Sequence, residues 1–208
     1  MNACRRTGIS VVICAPSGTG KTTLCRRLLQ EFPNIVLSVS CTTRPPRAGE
    51  VNGRDYVFLS REEFLQKREA GFFAEWAQVH GSFYGTPLAA AWNLPAEGKD
   101  ALFDIDVQGA AQIRRCLPAA RLVFLFPPSR AELERRLRAR GTESEEGLAL
   151  RMATAARETA QARWFDFWIV NDELEQAWQE LRAVYVASTL SPSLCPQFQA
   201  GPAAEWGL

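Results

Sequence analysis

The sequence predicts an α/β fold, a doubly wound parallel sheet interrupted by a strand-rich insertion and a shorter helical one. Three observations lead there. The apolar run ISVVIC (9–14) passes through a Gly/Ser loop into KTTLCRRLLQEF, in which Leu24, Leu28, Leu29 and Phe32 recur at helical spacing. ALFDID (101–106) and RLVFLF (121–126) are short, mostly apolar runs, the pattern of parallel strands covered on both faces. Strands and helices otherwise alternate, except over residues 40–96 and 130–157.

Along the chain, the first strand, loop and helix are followed by IVLSVS (35–40), a second strand, and by a turn-rich stretch that runs into YVFL, a third. In SREEFLQKREAG, Ser60 with Glu63 three residues on is a capping box, and Gly71 closes the helix. FAEWAQV and the Gly81 to Gly85 turn predict a hairpin. ALFDID ends in two carboxylates, and RLVFLF is stopped by Pro127 and Pro128. SRAELERRLRAR and GTESEEGLALRMATAARETAQA read as helices, FDFWIVND as a strand and ELEQAWQELRAVYVAS as the last helix. The core is thus assigned to residues 1–39, 97–129 and 158–190, the insertions to 40–96 and 130–157, and 191–208, with Pro192, Pro196 and Pro202, to a weakly ordered tail. Ligands of such a sheet bind at the C-terminal ends of its strands, where both insertions could act as mobile flaps.

The 208 residues suit one compact domain with smaller inserted pieces, and 47% hydrophobic with 23% charged residues is ordinary globular usage. A net charge of +1 argues against nucleic acid as the main partner, so any anion site must be local. Only Lys21, Lys67 and Lys99 are lysines among 24 basic residues, which makes the lysine in the first loop stand out. Six cysteines without a C-x-x-C pair read as reduced thiols rather than disulfides or zinc ligands. MNACRRTG has no signal-peptide core and no run reaches membrane-span length, so a soluble, cytoplasmic protein is expected. The six tryptophans, Trp76, Trp164 and Trp168 among them, are expected in the core rather than as a stacking platform for bases.

CAPSGTGKTTL (14–24) matches the phosphate-binding loop G-x-x-x-x-G-K-[ST] except for Ala15 at the first glycine. Gly18 and Gly20 allow backbone N–H groups to turn around phosphate oxygens, Lys21 adds a point charge, and the Thr22 hydroxyl suits magnesium. Asp104 and Asp106, two apart on one predicted strand, would share a face where such proteins place a magnesium-holding carboxylate, directly or through water. Ser40, Arg44, Arg47 and Tyr56 fall in a turn-rich stretch. Around Pro45 and Pro46 the arginines form a fork suited to a second phosphate, and composition alone leaves a solvated loop equally open.

These stretches together resemble the bacterial-type guanylate kinases, in the family's order from about residue 9 to about 187: CAPSGTGKTTL, SVSCTTRPPRAGEVNGRDYVF, FFAEWAQVHGSFYGTP, FDIDVQGA, RLRARGTESEE and IVND. The resemblance implies ATP + GMP giving ADP + GDP with magnesium, on a P-loop core with a GMP-binding domain (40–96) and a lid (130–157). It implies an ATP loop of Ala15, Pro16, Ser17, Gly18, Thr19, Gly20, Lys21, Thr22 and Thr23, with Ala15 at a position where the family has Gly or Ala. Ser40, Arg44, Arg47, Tyr56, Glu75, Tyr84, Thr86 and Asp106 match its GMP-binding positions, with Arg44, Arg47, Tyr56 and Tyr84 on the phosphate and Glu75, Ser40 and Thr86 on the base. Arg136, Arg140 and Arg151 match lid arginines over ATP, Asn171 a position near the adenine, and Lys21, Arg44, Arg140 and Arg151 the catalytic set. Arg138 reads instead as a solvated, salt-bridged helix residue.

Physical chemistry supports that assignment. A carboxylate at Glu75 can accept from guanine N1–H and the exocyclic amine, donors adenine lacks there, and sites built on such bonds discriminate by roughly 10⁴. His80, the lone histidine, needs no catalytic role, because the GMP phosphate is already ionised near neutral pH. Two other classes compete. A kinase of the same fold acting on a guanine-free acceptor would have no use for Glu75, and a scaffold domain without catalysis would not retain Gly18, Gly20, Lys21 and Thr22. Nothing in the sequence fixes an oligomeric state.

Overall fold

The computed structural model describes residues 6–79, 81–139 and 144–195. Its main sheet is five-stranded and all parallel, in the order β2-β7-β1-β8-β9, with β1 (Ser10–Cys14), β2 (Ile35–Leu37), β7 (Asp100–Asp104), β8 (Arg121–Phe126) and β9 (Phe167–Val170). The near-continuous apolar runs follow from covering both faces. Val11, Ile13, Leu102, Val123 and Leu125 point into one buried layer, with Leu24 and Leu28 of α1 (Lys21–Glu31) and Trp178 and Leu181 of α7 (Leu174–Thr189). Val12, Cys14, Phe103, Leu122 and Phe124 point into the other, against Val107, Ala110 and Ile113 of α4 (Val107–Cys116) and Ala91 of α3 (Leu88–Ala96). Because β1 lies between β7 and β8, the chain reverses its winding there, and the loop after β1 opens onto the carboxyl ends of the strands.

The insertion forms a second sheet in the order β4-β3-β6-β5, with β3 (Cys41–Thr42), β4 (Val57–Phe58), β5 (Phe73–Val79) and β6 (Ser82–Pro87). Its small core packs Phe64 of α2 (Arg61–Glu69) on Phe73 and Phe83, with ring centroids 4.5 and 5.3 Å away. The capping box is present at both ends: Glu63 N–H donates to Ser60 Oγ at 3.1 Å, and Ser60 N–H to Glu63 Oε2 at 2.7 Å. Helices α5 (Arg130–Ala139) and α6 (Glu145–Ala160) bury Leu133, Leu137, Leu148 and Met152 in a third cluster.

Several expectations need correcting. IVLSVS stops as a strand at Leu37, since residues 38–40 leave the main sheet to enter β3. Gly85 lies within β6, paired with Trp76, rather than in the hairpin turn. Helices α3 and α4 were not legible: α3 carries Pro95 near its end and α4 has Gly109 inside it, both poor helix formers. Ala91 of α3 is buried against the main sheet, so the inserted segment returns to the core before residue 96. β7 ends at Asp104, and Asp106 is the N-cap of α4, its Oδ1 accepting from Gly109 N–H at 2.8 Å, so the two aspartates do not share a strand face. Trp168 is 60% exposed, because β9 is an edge strand covered on one face only; Trp178 is the buried tryptophan of the last helix. Residues 192–194 make a 3₁₀ turn whose Leu194 carbonyl accepts from Thr7 N–H at 2.8 Å; residues 196–208, like His80, lie outside the described residues.

Candidate active site

A cleft of about 430 Å³ runs from the loop after β1, past the ends of β7 and α4, to the face of the second sheet. The loop's shape depends on its glycines. Gly18 and Gly20 hold φ of +92° and +97°, which side-chain-bearing residues rarely adopt. Both are also close-packed: a Cβ on Gly20 would stand 2.4 Å from Asn171 Nδ2, and one on Gly18 would stand 3.0 Å from Leu137 of α5. Ala15 packs on the main core, where a small side chain is sufficient.

Lys21 opens α1 and reaches Asp104 Oδ1 at 2.7 Å while donating to the Ile105 carbonyl at 3.0 Å. Burial works against its charge, but the Asp104 carboxylate more than offsets this, so the ammonium is held above the ordinary lysine range. The loop therefore keeps its cation, balanced by the carboxylate at the end of β7.

At the far end, Glu75 of β5 is 3% exposed. Its Oε1 accepts from the Thr86 hydroxyl at 2.6 Å, and Ser40 Oγ lies 3.3 Å from that hydroxyl. Burial raises the Glu75 pKa to about 7; the Thr86 bond opposes the rise and the nearby Asp106 charge adds to it. Two predicted residues thus gather at the buried carboxylate of a third, Thr86 directly and Ser40 through it: the pairing of β5 with β6 puts Glu75 opposite Thr86, and β3 pairs with β6 just beyond Ser40.

Between these ends lie Arg47, Tyr56 and Tyr84, all lining the cleft. Arg44 does not line it. Its guanidinium is held by both oxygens of Glu50, at 2.8 and 3.0 Å, and stands over the Tyr56 ring at 5.5 Å. Glu50 also accepts from Arg47 N–H at 2.7 Å, and the paired Arg44 holds its carboxyl below the usual range. Glu50 was not singled out from the sequence, although it sits six residues from Arg44 in the same turn-rich stretch.

From the helical insertion, Arg151 reaches the loop, its guanidinium donating to Ser17 Oγ at 2.8 Å. Thr154 and Glu158 line the cleft beside it, at i+3 and i+7 on one face of α6, a spacing visible in the sequence but not used. Burial raises Glu158 to about 7, against the attraction of Lys21. Arg136 and Asn171 are outside the lining: Arg136 donates to Glu132 and to the Asn171 carbonyl, and the Asn171 side chain donates to the Thr19 carbonyl at 2.6 Å, bracing the loop from the β9 side. Arg138 is paired with Glu134 and Glu145 across α5 and α6. Arg140 lies outside the described residues. Cys14, Cys25, Cys41 and Cys116 are free thiols, and burial pushes the Cys14 thiol well up.

A family model described as guanylate kinase matches residues 7–188. The chain belongs to the guanylate kinase family. The guanylate kinase of Nitratidesulfovibrio vulgaris is 62% identical over 201 residues, covering 97% of both chains. That of Geobacter metallireducens is 45% identical, over 88% of this chain and 90% of its own. Among solved structures, guanylate kinase from Anaplasma phagocytophilum superposes with a TM-score of 0.77 at 31% identity, covering 94% of this chain and 96% of that one. The guanylate kinase family is one of nucleoside monophosphate kinases, and the parallel sheet with its phosphate loop is its core.

Proposed function

We propose that this chain transfers the γ-phosphoryl group of ATP to GMP, with the phosphate loop as the ATP end of the cleft and Glu75 as the guanine reader. One observation carries the reading: a single cleft joins a glycine-shaped loop holding a lysine to a buried carboxylate served by Thr86. The loop of residues 15–23, running into the start of α1, receives the ATP phosphates on its backbone N–H groups, Pro16 having none to give, and Lys21 exchanges Asp104 for phosphate oxygen. Arg47, Tyr56 and Tyr84, with Arg44 released from Glu50, hold the GMP phosphate. Its ionised oxygen displaces ADP in line at the γ-phosphorus, so no side chain has to remove a proton. Glu75 accepts from N1–H and the 2-amino group, and two such donors pull its carboxyl back to the charged form. Ser40 and Thr86 orient it, and Asp106 borders the same space.

Arg151 is the lid arginine positioned to meet transferring charge, with Arg140 as its partner; Arg136 and Asn171 act on ATP through the lid base and the loop. Residues 40–96 take GMP and 130–157 close over ATP. Thr22 and Asp104 are hard oxygen donors in the cleft beside Lys21, a set that fits magnesium bound chiefly through phosphates and water. Bound there with ATP, the ion would neutralise β- and γ-phosphate charge. A cytoplasmic setting fits the free thiols, and among the described residues no helix is long and apolar enough to cross a membrane.

The test is ADP release from ATP and magnesium with each nucleoside monophosphate. GMP alone should support turnover. Equal turnover with AMP or UMP overturns the guanine assignment, and none with any acceptor favours the scaffold alternative.

A further inference from the structure

Helix α4 belongs to the core, yet it touches the base-reading strand at two points. Among the described residues β5 is an edge strand paired with β6 on one side only, so its outer backbone groups need partners. At Trp76, next to Glu75, Gln112 of α4 supplies both: its Oε1 accepts from Trp76 N–H at 3.2 Å and its Nε2 donates to the Trp76 carbonyl at 2.7 Å. The amide stands in for one residue of a neighbouring strand. One turn earlier on the helix, Gly109 faces Glu75 directly. A Cβ there would lie 2.4 Å from Glu75 Oε2 and 2.9 Å from its Cδ, nearer than real contacts allow. Gly109 carries no positive φ and sits inside a helix, where glycine is a poor choice. The approach of the carboxylate accounts for it.

We propose that Gly109 and Gln112 are positioning residues for guanine recognition: Gln112 fixes the height of β5 against α4, and the bare face of Gly109 lets the Glu75 carboxylate lie against the helix. Neither touches substrate. The inference rests on the assignment of Glu75 as guanine reader. Asp106, the N-cap of the same helix, accepts from Gly109 N–H at 2.8 Å, so one helical turn sets two predicted GMP contacts relative to each other. Alanine at 109 would clash chiefly with the end of a flexible side chain, so it should turn the carboxylate aside without breaking the fold.

The experiment compares kcat/KM for GMP and for IMP, which keeps N1–H but lacks the 2-amino group, in the full-length enzyme and in Gly109→Ala, Gln112→Leu and Glu75→Gln. Gln112→Leu removes both bonds to Trp76 without adding bulk at Glu75, so it tests the same idea should Gly109→Ala fold poorly. The expected result is a fall in the GMP-to-IMP ratio of about tenfold to a hundredfold in either positioning variant, the scale on which a misplacement of about 1 Å registers. KM for ATP should stay near wild type in both; the melting temperature should hold in Gly109→Ala and fall modestly in Gln112→Leu, which leaves the Trp76 backbone groups without this partner. A ratio unchanged in both variants while Glu75→Gln collapses it overturns this inference alone. A proportional loss for GMP and IMP, with the ratio intact, also overturns it, because that marks a merely structural role. A ratio indifferent to Glu75→Gln overturns the base-reading assignment itself.

Discussion

Asp100 and Glu75 are both buried carboxylates, 1% and 3% exposed, and they are held in opposite ways. Asp100, at the start of β7, accepts from both Arg6 terminal nitrogens at 2.7 Å, from Ile9 N–H at 2.9 Å, from Asn34 at 3.1 Å and from the Tyr185 hydroxyl at 2.6 Å. Burial alone would raise its pKa, but Arg6 and the other donors outweigh that and hold it below the ordinary carboxylate value. Glu75 has Thr86 as its donor, and burial wins, at about 7. A buried carboxylate whose lone pairs are filled from within ties the fold together. One left short of donors in a cleft is a receptor for a ligand that brings them.

That contrast can be broken by exchanging charges. The largest effect is expected at neither: Lys21→Ala should lower kcat by about 10³-fold, the cost of losing one preorganised charge contact. GMP affinity should barely change, because Lys21 faces Asp104 and not Glu75. If GMP titrations weaken in parallel, the two ends of the cleft are not separable. Glu75→Gln should cut kcat/KM for GMP by about 10²-fold, from weakened charge-assisted bonds, with no loss of melting temperature. Asp100→Asn should do the reverse, destabilising by about 3 kcal/mol in denaturant titrations as Arg6 loses its buried partner, while kinetics at permissive temperature hold.

A pH series sharpens the same point. The neutral form of Glu75 contributes stability that is full below 4.5, its ordinary value, and lost as pH rises through about 7. The Asp100 contribution is present above its ordinary 3.8 and lost as pH falls through its depressed value. KM for GMP should climb below pH of about 7, where Glu75 carries a proton. Glu158 also titrates near 7, so the slope belongs to Glu75 only if Glu75→Gln removes it and Glu158→Gln does not. The smallest effect is expected for Thr86→Val: with its donor gone, Glu75 should rise further, shifting the pH midpoint of GMP binding upward. An unmoved midpoint would show that Thr86 does not tune the carboxylate.

The phosphate end was legible in the sequence because its parts are contiguous. Gly18, Gly20, Lys21 and Thr22 lie within five residues, and the local geometry of strand, tight loop and helix start does the work without help from elsewhere. The end proposed to read the base was reachable only through family resemblance, because Ser40, Glu75 and Thr86 are far apart in the chain and FAEWAQ reads as an ordinary strand face. Asp106 was misplaced as a strand residue, since nothing local signalled that α4 begins there. Glu50, Gly109, Gln112 and Glu158 carry no chemistry of their own until a neighbour gives it to them.

By itself the sequence determined the sheet with both faces covered, the capped helix after Ser60, the phosphate loop and the family, all properties set by short-range pattern and backbone conformation. The tertiary structure decided which carboxylates gather many donors and which few. That depends on the number of donors brought to each: by the N-terminal segment, the turn after α1 and α7 for Asp100, and, among the described residues, by Thr86 of β6 for Glu75. Burial and hydrogen bonding act over a few ångströms, and only folding brings residues 6, 34 and 185 around one aspartate while leaving a glutamate at about 7 in the cleft.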